Sequence, residues 1–101
     1  MYKRQLYKLH GDFAKAQPLY ERALQLRESL LGPMHPDVGM SYLNLGSLYR
    51  DQGQLDLTEL FWTQALAVFQ GSLPAGHPQI QHCMFWLQHL QMQRVMQFGM
   101  Q

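Results

Sequence analysis

The feature of this sequence that most limits its fold is an internal repeat of 42 residues. Gly11 recurs as Gly53, 42 residues later. The dipeptide His35-Pro36 recurs as His77-Pro78 at the same offset. Apolar positions keep this register in the pairs Leu6 and Leu48, Tyr7 and Tyr49, Ala23 and Ala65, Leu24 and Leu66, and Leu31 and Leu73. A fixed period of about 20–50 residues is typical of a stacked solenoid, so the chain is expected to be a row of similar units.

The unit from His35 to Leu66 has the pattern of a helix–turn–helix. Its first half places four residues on one stripe of an α-helix, namely Val38, Tyr42, Leu45 and Tyr49. Gly53 interrupts this pattern where a helix often ends in a left-handed residue. A second helical stripe follows, namely Thr58, Trp62, Ala65 and Phe69. The two halves are therefore predicted to form an antiparallel helix pair.

The same pattern extends over the whole chain, so residues 1–101 are predicted to be a single domain made of repeats. Residues 1–34 are predicted to be a partial first repeat, in which Asp12 caps the second helix. Residues 35–76 are the complete second repeat. Residues 77–101 are either a partial third repeat or a C-terminal capping helix, with a helix from 78 to about 98.

Composition and charge exclude several classes of function. The chain is 47% hydrophobic and has a net charge of +1, without a Lys/Arg-rich run, so neither nucleic acid nor a membrane surface is an expected partner. No stretch approaches the ~20 apolar residues of a membrane span. The single cysteine, Cys83, cannot form an internal disulfide, which favours a reducing compartment and a cytoplasmic location.

No pattern of residues indicates catalysis or a cofactor. The sequence lacks the phosphate-binding loop, the Gly-x-Ser-x-Gly elbow and the His-Glu-x-x-His zinc motif. The spacing of His82, Cys83 and His89 does not suit ligands on one helical face. Asp51, Asp56 and Glu59 are explained as solvated surface positions. We therefore expect no metal, no cofactor and no enzymatic activity.

Residues 11–53 resemble a known family. The phrases PLYERAL, LGPMHPDVG and LNLGSLYRDQG are similar to the 42-residue tetratricopeptide repeats of the kinesin light-chain type. The chain departs from that pattern at Thr58, where a small residue is usual, and at Val95, where a glycine would stand. The resemblance implies an all-α fold, a right-handed superhelix of antiparallel helix pairs that forms an α-solenoid.

The resemblance also implies a binding surface, because the first helix of each pair in that family lines a concave groove that receives peptides or partner helices. The residues at those positions are Lys8, Met40, Leu43, Asn44, Ser47, Arg50, Asp51, Phe85, Trp86 and His89, with Gln5 and His82 beside them. Periodicity alone places Met40, Asn44, Ser47 and Asp51 away from the Val38 stripe. A merely solvated helix face is the alternative interpretation of these residues.

Two hypotheses about function follow. The first is a non-catalytic scaffold that binds a peptide or protein on its concave face, alone or as part of a longer repeat array. The second is an assembly element that associates with itself, as a homo-oligomer, through the open ends of the stack. The segment Gln79–Gln101 supports such contacts, since Arg94 is its only formal charge and an end repeat normally turns a charged face to water.

We predict that the folded state is stabilised by association. The first helix of the repeat begins at Met1 and is short, so its partner helix lacks part of its apolar cover. The thermal midpoint should therefore rise with protein concentration, as mass action requires when the associated form is the folded one. Scanning calorimetry at several concentrations tests this. A concentration-independent transition above about 65 °C would contradict it.

Overall fold

The computed structural model describes residues 13–99, which form helices joined by short turns. The helices are α1 (Phe13–Leu31), α2 (Pro36–Asp51), α3 (Leu55–Ser72) and α4 (Pro78–Gly99). Each packs against the next along the chain, and the contact between α2 and α3 is the most extensive. The prediction of an all-α fold of stacked helix pairs is confirmed. The predictions for residues 1–10 and for Asp12 lie outside the described residues.

Within residues 13–99, no helix combines the length and the apolar character that a membrane crossing requires.

The repeated His-Pro dipeptide begins the first helix of a pair in the same way twice. Pro36 and Pro78 are the first residues of α2 and α4, where a missing N–H costs no hydrogen bond. The Nδ1 atom of His35 accepts the backbone N–H of Asp37 at 3.0 Å. In the same arrangement, Nδ1 of His77 accepts the backbone N–H of Gln79 at 3.1 Å. Each histidine therefore caps its helix, as Asn, Asp or Ser commonly do.

Gly53 sets the turn between α2 and α3. Its φ is +82°, in the left-handed region that glycine adopts without steric cost. The N–H of Gln54 then donates to the carbonyl of Tyr49 at 2.9 Å, which satisfies one of the last carbonyls of α2. This turn makes the two helices antiparallel, as the sequence pattern predicted.

Two glycines of α2 let α3 approach closely. A Cβ atom at Gly46 would lie 2.4 Å from Cδ1 of Trp62, and one at Gly39 would lie 2.6 Å from Cε1 of Phe69. Both aromatic side chains are almost fully buried, at 2% and 0% exposure. No side chain fits between these rings and the glycine backbone. The aromatic rings of α3 therefore pack directly on the glycines of α2.

A second set of rings joins the same helices. Phe61 of α3 stacks on Tyr49 at 5.5 Å between ring centroids and on Tyr42 at 6.1 Å. Such pairs contribute about 0.5–1.5 kcal/mol beyond the area that they bury. The predicted α3 stripe is confirmed, since Thr58, Trp62, Ala65 and Phe69 are all buried.

Hydrogen bonds connect α1 to α2. Nη1 of Arg27 donates to Oγ of Ser41 at 2.9 Å and to the carbonyl of Asp37 at 3.2 Å. The hydroxyl of Tyr42 donates to Oε2 of Glu28 at 3.3 Å. Burial, followed by the charge of Glu28, raises the pKa of the Tyr42 phenol. The phenol is therefore protonated at neutral pH and acts as the hydrogen-bond donor to Glu28.

An ion-pair cluster joins α3 to α4. The Arg94 guanidinium binds the carboxylates of both Asp56 and Glu59. Asp56 was predicted to be a solvated surface residue, and its side chain is 87% exposed. The same prediction was only partly correct for Glu59, whose side chain is 35% exposed in this ion pair. The partner lies 38 and 35 residues away in sequence, so no local spacing indicated it.

The buried stripe of α4 is apolar. Ile80, Cys83 and Leu90 are at most 7% exposed and pack in one core with residues of α2 and α3. Burial raises the pKa of the Cys83 thiol to about 11, so very little reactive thiolate exists at neutral pH.

The ring-against-glycine contact predicts opposite outcomes for two similar substitutions. Both Gly46→Ala and Gly71→Ala should improve helix propensity, by up to about 1 kcal/mol. At Gly46 the new Cβ meets the Trp62 ring, and such overpacking costs about 1–3 kcal/mol. At Gly71 it meets only the terminal methyl of Met34, which can move.

Chemical denaturation should therefore show a lower free energy of unfolding for Gly46→Ala and an unchanged or higher one for Gly71→Ala. Equal stability of the two variants would contradict the close approach of α2 and α3.

Candidate functional site

A cavity of about 220 Å³ is lined by residues of α2, α3 and α4. Its lining residues are Arg50, Trp62, Phe85, Trp86, His89, Leu90 and Gln93. Arg50 comes from the last turn of α2 and Trp62 from the middle of α3, while the others lie on α4. The stacking of three consecutive helices therefore forms this recess.

Trp62 anchors the floor of this cavity. Its indole Nε1 donates to the buried backbone carbonyl of Leu43 at 3.2 Å, which ties α3 to α2. Its ring lies 5.5 Å from that of Trp86, at an angle of 40°. Because Trp62 is only 2% exposed, it sets the depth of the recess and leaves the outer wall to α4.

Arg50 supplies the positive charge of the cavity. Its guanidinium carbon lies 5.4 Å from the centre of the Trp62 ring, a cation–π distance. Its Nη2 atom lies 3.9 Å from Oδ1 of Asp51, at the outer limit of an ion pair. The Arg50 side chain is 43% exposed, so its donors are within reach of a bound molecule.

The wall formed by α4 is aromatic and open to solvent. Phe85 is 58% exposed and Trp86 is 39% exposed, which is high for such large apolar side chains. His89 packs on the Phe85 ring at 5.4 Å between ring centroids. The cavity thus combines cationic hydrogen-bond donors with exposed aromatic surface.

The structure brings together part of the predicted groove. Arg50 of α2 meets Phe85, Trp86 and His89 of α4 in this cavity.

The other predicted groove residues lie outside its lining. Asn44 and Asp51 are exposed on α2, whereas Met40 and Ser47 are half-buried. Leu43 is only 5% exposed and belongs to the core with residues of α3 and α4, so its side chain faces the interior and not the groove. Lys8 lies outside the described residues.

Sequence reasoning did not assign Trp62, Leu90 and Gln93 to the site. Trp62 was placed on the second helical stripe of the repeat, and its role in the cavity depends on α4, which leaves part of the recess uncovered. Leu90 and Gln93 follow Trp86 at spacings of four and seven, which place all three along one helical face. That spacing was the sequence signal that could have identified Leu90 and Gln93 as residues of the site.

Within the described residues, no three His, Cys, Asp or Glu side chains are grouped as a metal ion would require.

Comparison with known proteins identifies the repeat. The tetratricopeptide repeat profile matches residues 5–71. The chain is also 33% identical over 70 residues to the fem-1 homolog C proteins of Danio rerio, Mus musculus and Homo sapiens. The aligned segment covers 69% of this chain and 11% of the length of these relatives.

The family match agrees with the structure, because the matched residues contain the antiparallel pair α2 and α3 and the helix α1 before it. Such repeats generally mediate protein–protein interaction without catalysis. The chain belongs to the tetratricopeptide repeat family.

Proposed function

We propose that this chain is a cytoplasmic, non-catalytic interaction module, of the kinesin light-chain type, that binds an extended peptide of a partner protein. The observation that carries the proposal is the cavity in which Arg50, Phe85, Trp86 and His89 meet above Trp62. It combines a charged donor with exposed aromatic side chains from helices that occupy equivalent positions in consecutive repeats. Such convergence of polar and apolar groups in a recess is typical of a binding site.

The charge of Arg50 favours a peptide with one or two carboxylates. A guanidinium binds a carboxylate through two parallel N–H···O bonds, which are stronger than hydrogen bonds between neutral groups. Asp51 lies 3.9 Å away and only weakly satisfies Arg50. A peptide carboxylate can therefore take the better geometry.

The exposed rings of Phe85 and Trp86 favour an aromatic or leucine side chain next to the carboxylate. An aromatic residue buries about 150–250 Å² on binding and often supplies much of the affinity at an interface. The cavity, at about 220 Å³, is smaller than the roughly 300–1,000 Å³ of a drug-sized pocket. It therefore suits one peptide side chain, not a whole small molecule.

The expected affinity is modest. The described residues contain one complete helix pair and one further groove helix, so only a short length of peptide is in contact. We expect a dissociation constant of about 1 µM or weaker for the chain alone. A net charge of +1, without a basic run, gives no comparable support for a nucleic-acid partner.

We predict that Arg50→Glu weakens peptide binding by about tenfold or more, because it replaces attraction of the carboxylate with repulsion. The probe is a fluorescent peptide with two aspartates beside a tryptophan, measured by anisotropy. Arg22→Glu is the matched control, since it makes the same charge change at an exposed position on α1. A second peptide, with asparagines in place of the aspartates, should bind the parent chain weakly. Its affinities for the Arg50→Glu and Arg22→Glu variants should not differ.

The folding control is Tyr49→Ala. It removes a ring stacked on Phe61 and should cost about 3–5 kcal/mol, with loss of both the helical circular-dichroism signal and binding. Arg50→Glu should keep the helical signal. If Arg50→Glu binds the aspartate peptide as tightly as the parent, or if Arg22→Glu has the larger effect, this surface is not the binding surface.

A further inference from the structure

Helix α4 continues past the point at which α2 ends. Gly53, with a φ of +82°, forms the turn after α2, and α3 then begins at Leu55. The residue 42 positions after Gly53 is Val95, and α4 continues through it to Gly99. The turn that fixes the end of α2 has no counterpart at this position of α4. The C-terminal part of α4 therefore depends on side-chain contacts for its position.

Apolar burial on α4 gives way to a charged contact after Leu90. Leu90 is 1% exposed and belongs to the core. Of residues 91–96, which follow it, all but Arg94 have exposed side chains. The Arg94 side chain is only 28% exposed. The attachment of α4 to α3 thus passes from apolar packing at Leu90 to a charged group about one helical turn later.

We call this charged attachment the Arg94 clamp. It consists of Arg94 and Gln91 from α4 and of Asp56 and Glu59 from α3. The guanidinium binds both carboxylates, and Nε2 of Gln91 donates to Oε2 of Glu59 at 3.4 Å. The two acidic residues are three positions apart, so they lie on successive turns of one face of α3. Because guanidinium donors have a fixed planar geometry, binding to both turns restrains the rotation of α4 as well as its distance from α3.

Neither helix offers a substitute for this cation, because Arg94 is the only lysine or arginine of α3 and α4. An isolated surface ion pair contributes little to stability. In the clamp, however, one guanidinium serves two carboxylates, and the Glu59 side chain is only 35% exposed. Loss of Arg94 would leave two neighbouring carboxylates on α3 without this partner and would release the C-terminal part of α4.

The clamp lies beside the cavity without lining it. None of its four side chains belongs to the cavity lining, whereas Gln93, the residue before Arg94, does. Trp86 of the cavity wall lies eight residues before Arg94, about 12 Å along the helix axis. Since α4 is continuous between them, a rotation of the helix at Arg94 also moves Trp86 relative to the Trp62 ring.

We propose that Arg94 is a positioning residue for the cavity, which holds the aromatic wall of α4 in place beside Trp62 by binding Asp56 and Glu59. Arg94 does not line the cavity, so it acts on binding through α4. The proposal rests on the proposed function, because the position of the wall matters for a bound peptide.

The test compares Arg94→Met with the parent chain by nuclear magnetic resonance, without peptide. Methionine keeps an unbranched stem and removes the guanidinium. The indole N–H signal of Trp86 should shift, and hydrogen exchange at the amides of residues 91–96 should become about tenfold faster, because hydrogen bonds to charged groups are lost. The Trp62 N–H should still exchange slowly, since its bond to the Leu43 carbonyl joins α2 and α3 and does not involve α4.

A charge exchange separates positioning from a general loss of stability. Arg94→Glu alone should shift the Trp86 signal as Arg94→Met does. Combined with Glu59→Arg, it should return the signal towards that of the parent, because a guanidinium from α3 then binds a carboxylate from α4. Arg22→Met is the matched control, since it removes the same charge at an exposed position on α1.

The proposal is overturned if Arg94→Met leaves the Trp86 signal where it is in the parent. It is equally overturned if Arg22→Met shifts that signal as much, or if the exchanged pair does not restore it.

The aspartate–tryptophan peptide provides a second measurement. Arg94→Met should weaken its binding by about fivefold, although every residue of the cavity lining is retained, because the wall is no longer preorganised. Equal affinity for the parent and for Arg94→Met would also overturn the proposal. A parent chain that does not bind the peptide would contradict the proposed function instead, and the Trp86 signal of Arg94→Met would still decide whether Arg94 positions the wall.

Discussion

The contact between the Trp62 ring and the backbone at Gly46 is the interaction on which the rest of the structure depends. It brings α2 and α3 together without an intervening side chain, and the indole N–H then binds the carbonyl of Leu43 at 3.2 Å. The same ring lies 5.5 Å from Trp86 and beneath the guanidinium of Arg50. One side chain therefore closes the helix pair and supports the candidate site, so a change that loosens the pair should also deform the cavity.

Helix α4 serves two purposes. Its buried stripe, with Ile80, Cys83 and Leu90, holds it on the stack. Its exposed side chains of Phe85 and Trp86 form one wall of the cavity.

The sequence was sufficient for the features that depend on periodicity. The 42-residue repeat predicted the helix pairs, and Gly53 and the two His-Pro dipeptides marked the helix ends that the structure shows. It was insufficient where residues from distant helices meet. The pairing of Arg94 with Asp56 and Glu59 has no local signature, and the burial of Leu43 depends on packing by α3 and α4.

The residues of the candidate site could also be predicted only in part. The family resemblance indicated Arg50, Phe85, Trp86 and His89, which line the cavity. Periodicity alone indicated Met40, Asn44, Ser47 and Asp51, which lie outside its lining. The part played by Trp62 could not be predicted, because periodicity distinguishes buried from exposed positions but does not show which buried ring borders a recess.

The most direct test of this account is the nuclear magnetic resonance of the two tryptophan indole N–H groups in the chain. The Trp62 N–H, which is bound to a buried carbonyl, should exchange slowly with solvent in the free protein. The Trp86 signal should shift as the aspartate–tryptophan peptide is added, because Trp86 lines the cavity. Rapid exchange at Trp62 would contradict the helix pairing described above, and an unchanged Trp86 signal at saturating peptide would contradict the cavity as the binding site.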